Sequence, residues 1–262
     1  MIIYDISKLN VELQNQINTN PKYIKWFSKF PDKLLGVNND TKTIRGLEYG
    51  VKTGILYLIP HKISGVNICP MADIAQCHKP CLNTAGRGAM KGVQISRLRK
   101  TLYFQQYQKQ FLAQLKNEIE KHCIKSIKEN YLPAIRLNGT SDIRWELYLW
   151  EFMEDMHHKY NVNFYDYTKL PNRIIPNNKV YDLTFSYSGV KNFQPYVQKA
   201  IALNMRLAVV FRNKDKIPPR FLNMDCINGD NSDIRFTEPQ GVVVALYAKG
   251  KARQDKTGFV VE

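Results

Sequence analysis

The stretch that most restricts this chain runs from Asn67 to Met90, N-I-C-P-M-A-D-I-A-Q-C-H-K-P-C-L-N-T-A-G-R-G-A-M. It holds Cys69, Cys77 and Cys81 in a C-x7-C-x3-C spacing and follows directly on an apolar run, Ile55 to Ile59. Two prolines, His78 and the Gly86-Arg87-Gly88 turn make it a poor helix or strand. Three thiolates within 13 residues can be aimed at one point. Thiolates suit zinc or iron–sulfur clusters far better than hard cations. The alternative is three separately packed thiols, because free cysteine also behaves as a small hydrophobe.

With 262 residues and 44% apolar composition, the chain can build one large core or two modest ones. No run of about 18 uncharged apolar residues is present, so no membrane span is expected. The start, M-I-I-Y-D-I-S-K-L-N, lacks the basic-then-apolar layout of a signal peptide. Five cysteines, three of them in one loop, do not read as a secreted disulfide framework, and a reducing cytoplasm is the simplest expectation. The formal charge of +15 favours a polyanionic partner, most often nucleic acid. The lysines are scattered, however, and no familiar DNA-reading motif accompanies them.

Residues 1–45 read as an N-terminal helical extension. Val11 to Ile17 forms a short helix, and Tyr23, Trp26, Phe27 and Phe30 make an aromatic stripe of the kind that packs in a core. Gly36-Val37-Asn38-Asn39-Asp40 reads as a turn. Residues 46–262 read as one α/β domain with its cysteine loop at 67–90. A helical region is expected from Met90 to about Asn130, its apolar stripe opposed by Arg97, Arg99, Lys100 and several lysines, a face most simply solvated. Tyr103 and Tyr107 form a Y-x3-Y pair, but no metal-binding His motif supports a nuclease reading. Further strands are expected at Pro133–Leu137, Val162–Tyr167, Tyr181–Phe185, Arg206–Phe211, Phe221–Cys226 and Gly241–Tyr247, with helices at about 144–160 and 193–203. The pattern predicts a largely parallel sheet, open or curled into a full or partial (β/α) barrel, with ligands at the carboxyl ends of the strands. Asp225 to Arg235 lacks the glutamate that a calcium loop requires, and it reads as a solvated turn.

Four motifs occur in order: the cysteine cluster, R-L-N-G-T-S-D from Arg136, F-Y-D-Y-T-K from Phe164, and the strand ending S-Y-S-G at Gly189. Together they resemble the phage "gene product eighty-eight" family over about Leu56 to Gly189. Leu82-Asn83 stands where that family has Tyr-Ala, and no cysteine-rich C-terminal cluster follows. A looser resemblance is to radical S-adenosylmethionine enzymes, in which three cysteines after the first barrel strand hold a 4Fe–4S cluster. Their usual spacing is C-x3-C-x2-C.

On that resemblance Cys69, Cys77 and Cys81 carry the cluster, and S-adenosylmethionine binds beside it. The alternative is zinc, with His78 able to close a structural site. The strand-end residues then supply the candidates. Arg136, Asn138, Ser141, Asp166 and Ser186 are the expected cofactor contacts, and Lys169, Asp142 and Tyr167 the expected catalytic groups. Each also has a structural reading, such as a helix cap for Asp142. Two functions follow: an iron–sulfur enzyme acting on nucleic acid or a nucleotide, or a non-enzymatic nucleic-acid-binding protein with structural zinc.

Overall fold

A computed structural model describes residues 1–37 and 41–262, so part of the expected turn at 36–40 lies outside the described residues. Local chemistry starts the chain clearly. The Asn10 side chain accepts from the Leu13 N–H at 2.9 Å and opens α1 (Val11–Thr19). Asn20 closes α1 and caps α2 (Pro21–Phe27), whose first position is a proline that has no N–H to leave unpaired. Two residues of the expected turn instead belong to a short strand, β1 (Leu35–Val37), held at its start by the Glu118 carboxylate on the backbone N–H groups of Leu34 and Leu35. After α3 (Thr41–Gly46), β2 (Val51–Leu56) runs antiparallel to β1.

The remaining strands are β3 (Leu132–Arg136), β4 (Asn163–Thr168), β5 (Tyr181–Ser186), β6 (Leu207–Phe211), β7 (Arg220–Phe221), β8 (Met224–Asn228) and β9 (Val243–Tyr247). Among the described residues they form one nine-stranded sheet, ordered β1-β2-β3-β4-β5-β6-β9-β8-β7. Neighbours from β2 through β6 to β9 and on to β8 are parallel, and each edge ends in an antiparallel pair. The α/β expectation is met, but the sheet is open. β1 and β7 are its edges, so a closed barrel is not formed. Both edge strands are short, which limits the backbone left for stray pairing.

Strands laid down in chain order with right-handed crossovers put their helices on one face. Accordingly α4 (Lys91–Gln106), α5 (Gln108–Lys128) and α6 (Glu146–Tyr160) cover Leu56, Ile135, Phe164, Tyr181 and Leu183, and α7 (Gln194–Ala202) covers Phe185, Leu207 and Val209. The N-terminal helices share this core through Ile17, Tyr23 and Phe27. The opposite face is covered by residues 229–240, which place Ile234 and Phe236 over Val51, Ala134 and Tyr165.

Three local expectations are corrected. The helix expected from Met90 to Asn130 breaks at Tyr107 (φ −133°, ψ 50°), whose hydroxyl reaches back to the Ile3 carbonyl. Tyr103 meanwhile stacks on Phe30 at 4.4 Å, so the Y-x3-Y pair serves packing. Phe221–Cys226 is a hairpin, because Leu222 and Asn223 adopt left-handed backbone conformations between β7 and β8. The basic face of α4 is not solvated: Arg97 and Arg99 are buried.

Candidate functional site

The cysteine loop leaves the carboxyl end of β2 and is fastened to the loops that leave its neighbours. The Asp142 N–H donates to the Ile68 carbonyl at 3.0 Å, and the Ser188 hydroxyl donates to the Ala75 carbonyl at 2.8 Å. The chain's last residues close over it, with the Thr257 hydroxyl on the Gln76 carbonyl. Gly189 and Gly258 lie backbone against backbone, where a Cβ on Gly189 would sit 2.7 Å from the Gly258 carbonyl oxygen. The loop therefore lies over the carboxyl ends of the parallel strands, where an α/β sheet holds its ligands.

Cys69, Cys77 and Cys81 are half-buried, and none is in a disulfide. The Cys69 sulfur accepts from the His61 N–H at 3.3 Å, and the Cys81 sulfur accepts from the Asn83 N–H at 3.5 Å. Burial pushes the Cys69 thiol up to about 12 and the Cys81 thiol to about 11, and raises Cys77 as well. Each thiol also feels another of the three electrostatically or shares the field of Lys169, so the three lie in one neighbourhood.

Two cations act there: Arg97, which bonds Asn83 and acts on Cys81, and Lys169, which acts on all three thiols. Lys169 leaves the end of β4, is 8% exposed, and donates from Nζ to the Ser186 carbonyl (2.9 Å), the Ser186 hydroxyl (3.1 Å) and the Tyr187 carbonyl (3.3 Å). Nζ also lies over the rings of Phe193 and Phe259. Desolvation lowers its pKa, opposed by Cys77, Asp142, Cys81 and Cys69. Asp142 accepts from the Thr168 hydroxyl and the Lys169 N–H, both at 2.8 Å, so it ties the β3 loop to the end of β4. It does not cap α6. Burial raises its carboxyl, with Arg173 and Lys169 working the other way. Arg173 in turn makes a forked pair with Glu146 and lies 3.7 Å from Asp142.

The expected site residues fall into three groups. Cys69, Cys77, Cys81, Lys169, Asp142 and Ser186 come together. Arg136 and Tyr167 point to the opposite face, where both bind Asp233; the Tyr167 hydroxyl donates to it at 3.2 Å. Asn138, Ser141 and Asp166 are engaged in backbone architecture. Asn138 Oδ1 accepts from the Ser141 hydroxyl, the Ile143 N–H and the Trp145 indole. Asp166 accepts from the Leu137 and Asn138 N–H groups and the Tyr181 hydroxyl.

Asp230 and Asp233 are not in a solvated turn as expected. Asp230 accepts from Lys249 and from the Tyr247 N–H, and Asp233 is 6% exposed beside Arg136, Tyr167 and Arg235. His78 stacks on His61 at 5.1 Å, and His61 binds Asp73 at 2.9 Å, a cluster that sequence reasoning missed. Among the described residues, no group of three or more His, Cys, Asp or Glu side chains is arranged as a ready metal shell. The cysteine donors are thus gathered but not drawn into a preformed cage.

Desolvation raises the Asp166 carboxyl from its ordinary value of 3.8 to about 6, with Arg136, the Asn138 N–H and Tyr181 pulling it back. The folded chain therefore holds this proton more tightly than the unfolded chain does. The stability it contributes is complete below about pH 4 and is lost as pH rises through about 6. Asp166→Asn removes that dependence. In urea titrations the variant is expected to gain on the parent between pH 4.5 and pH 7; an unchanged difference would show that Asp166 titrates normally.

Fold and site together define an open α/β protein with a cysteine loop and a buried lysine over the carboxyl ends of its parallel strands. The chain belongs to the phage family described as Gene product 88, whose family model matches residues 32–262. That match extends well beyond the four motifs that suggested the relationship. No curated protein and no solved structure matches the chain. No helix among the described residues is long and apolar enough to cross a membrane.

Proposed function

We propose that this protein is a radical-SAM-like iron–sulfur enzyme acting on nucleic acid or a nucleotide, with Cys69, Cys77 and Cys81 as the cluster ligands. One observation carries the reading: three unpaired thiols from one loop share a neighbourhood with the buried Lys169 at the carboxyl end of the sheet. Their chemistry fits the group. The thiols are soft donors, and without a metal burial keeps them protonated. A metal centre draws those protons off and supplies the charge that a thiolate needs. The parallel strands β2 to β6 follow in chain order and suit a partial barrel whose first parallel strand leads into the cysteine loop.

In this reading a bound cluster supplies one-electron chemistry to S-adenosylmethionine. Lys169 offers a positive charge toward the thiolates, Asp142 fixes the backbone N–H of Lys169, and Ser186 holds the lysine amine. Arg136 and Tyr167 act only through the Asp233 network on the other face.

The test is metal and acid-labile sulfide per chain on anaerobically purified protein, beside a Cys69→Ala/Cys77→Ala/Cys81→Ala variant. About four irons and four sulfides, absent from the variant, are expected for a 4Fe–4S site. One zinc and no sulfide moves the protein to the structural-zinc, nucleic-acid-binding reading. A colourless, metal-free product after anaerobic reconstitution overturns both.

A further inference from the structure

A second region, away from the cysteines, carries its own chemistry. Between α2 and α4 lies a cleft of about 500 Å³ lined by Pro21, Lys22, Lys25, Trp26, Lys29, Asp32 and Arg99. Four cations face one carboxylate there, and that carboxylate is paired with Lys29 at 2.9 Å. Arg99 lies under the same cleft, 8% exposed, with its Nε and Nη2 closed to solvent and without a hydrogen-bond partner, so it adds charge beneath the lysines rather than a direct contact. Trp26 adds a half-buried indole at the same cleft, with Lys22 Nζ 5.0 Å from its ring centre. A π-surface beside a cluster of cations is the pairing that binds single strands, whose bases stack while the backbone is neutralised.

We propose that this cleft binds single-stranded nucleic acid, with phosphate held by Lys22 and Lys25 over the charge of Arg99 and a base set against Trp26. The cleft joins α4, inside the family match, to residues 21–29, which precede it. The proposal goes beyond the reading of the cysteine site and does not depend on any metal. A chain that carries no iron tests it equally well.

The experiment is fluorescence anisotropy of the full chain with a labelled oligothymidylate and, separately, a labelled duplex of the same length. The single strand is expected to bind more tightly, with affinity falling at least about tenfold between 50 and 200 mM salt. Lys22→Glu/Lys25→Glu, on an exposed helix face, is expected to weaken it by a further tenfold or so at low salt. Trp26→Leu is expected to weaken single-strand binding about fivefold or more and to leave duplex binding unchanged. Arg99→Lys keeps the charge beneath the cleft, so it should bind as the parent does. Thermal melts confirm that each variant is folded, and the two surface lysines keep the test decisive if the buried Arg99 variant is not. Parent-like binding by the lysine pair and by Trp26→Leu overturns the proposal. So does a preference for duplex, or full displacement of the strand by inorganic phosphate at equal phosphate concentration, which would mark an anion site only.

Discussion

Asp233→Leu is expected to cost about 3–5 kcal/mol of stability, the usual loss when one partner of a buried ion pair is removed. Asp233 sits beneath the sheet in the segment between β8 and β9, 6% exposed. It accepts from Arg136 and Tyr167 and lies 3.8 Å from the Arg235 guanidinium. Arg136 is 8% exposed with its Nε already unpartnered, and the rings of Tyr165 and Tyr167 flank it at 5.6 and 5.0 Å. Burial works against the Arg136 charge, and Asp233 is the first of the groups that offset it. Without that carboxylate the buried guanidinium keeps only the weaker influence of Asp166 and the two tyrosines. The companion variant Arg136→Leu/Asp233→Leu should recover most of the loss, because an apolar pair of similar size needs no desolvation. Urea unfolding of the singles and the double isolates the coupling. A single variant within about 1 kcal/mol of the parent would mean that water already reaches the pair.

Arg173→Leu is expected to produce a loss of the same size and to disturb the cysteine neighbourhood as well. The Arg173 side chain is 1% exposed and binds both Glu146 oxygens at 3.1 and 2.5 Å and the Tyr181 hydroxyl at 3.2 Å. Glu146 is 8% exposed, so removing Arg173 leaves the buried carboxylate only the half-exposed Arg144, 3.3 Å away. Arg173 also offsets the burial of Asp142, which anchors the Lys169 backbone beside the thiols. A melting temperature lower by roughly 2–4 °C per kcal/mol is expected for a chain of this size. Arg173→Lys should recover only part, because an ammonium cannot make the fork. An unchanged melting temperature for Arg173→Leu would remove this pair from the account of the fold.

Much of the candidate site could be read before the structure. Cys69, Cys77 and Cys81 stood out because their loop is too rich in proline and glycine to be anything regular. Lys169, Asp142 and Ser186 stood out because they follow apolar runs at the ends of strands. Arg136 and Tyr167 satisfied the same rule yet face the other way, because side chains alternate along a strand and the pattern alone does not say which face the cofactor would take. Asp233 and Arg235 gave a polar, Gly-containing signal that ordinarily marks a solvated turn. Their burial depends on Arg136, 97 residues earlier in the chain. Arg97 and Arg99 resemble a solvated helix face in the sequence, yet Arg97 is buried against Asn83, Gly88 and Tyr57 beside the cysteine loop, and Arg99 lies under α2.

Local signals in the chain account for most of its strands and helices and for the cysteine loop after the first parallel strand, though not for β1, the break at Tyr107 or the β7–β8 hairpin. Those features rest on local periodicity, capping side chains and backbone restrictions, all of which act within a few residues. Only the tertiary fold leaves the sheet open, fills its second face with residues 229–240 and sets a buried lysine within the electrostatic reach of three thiols. Pairing partners far apart in the chain leave no periodic trace. They are selected by the cost of burying a charge without its counterion, and that cost exists only once the fold has closed around it.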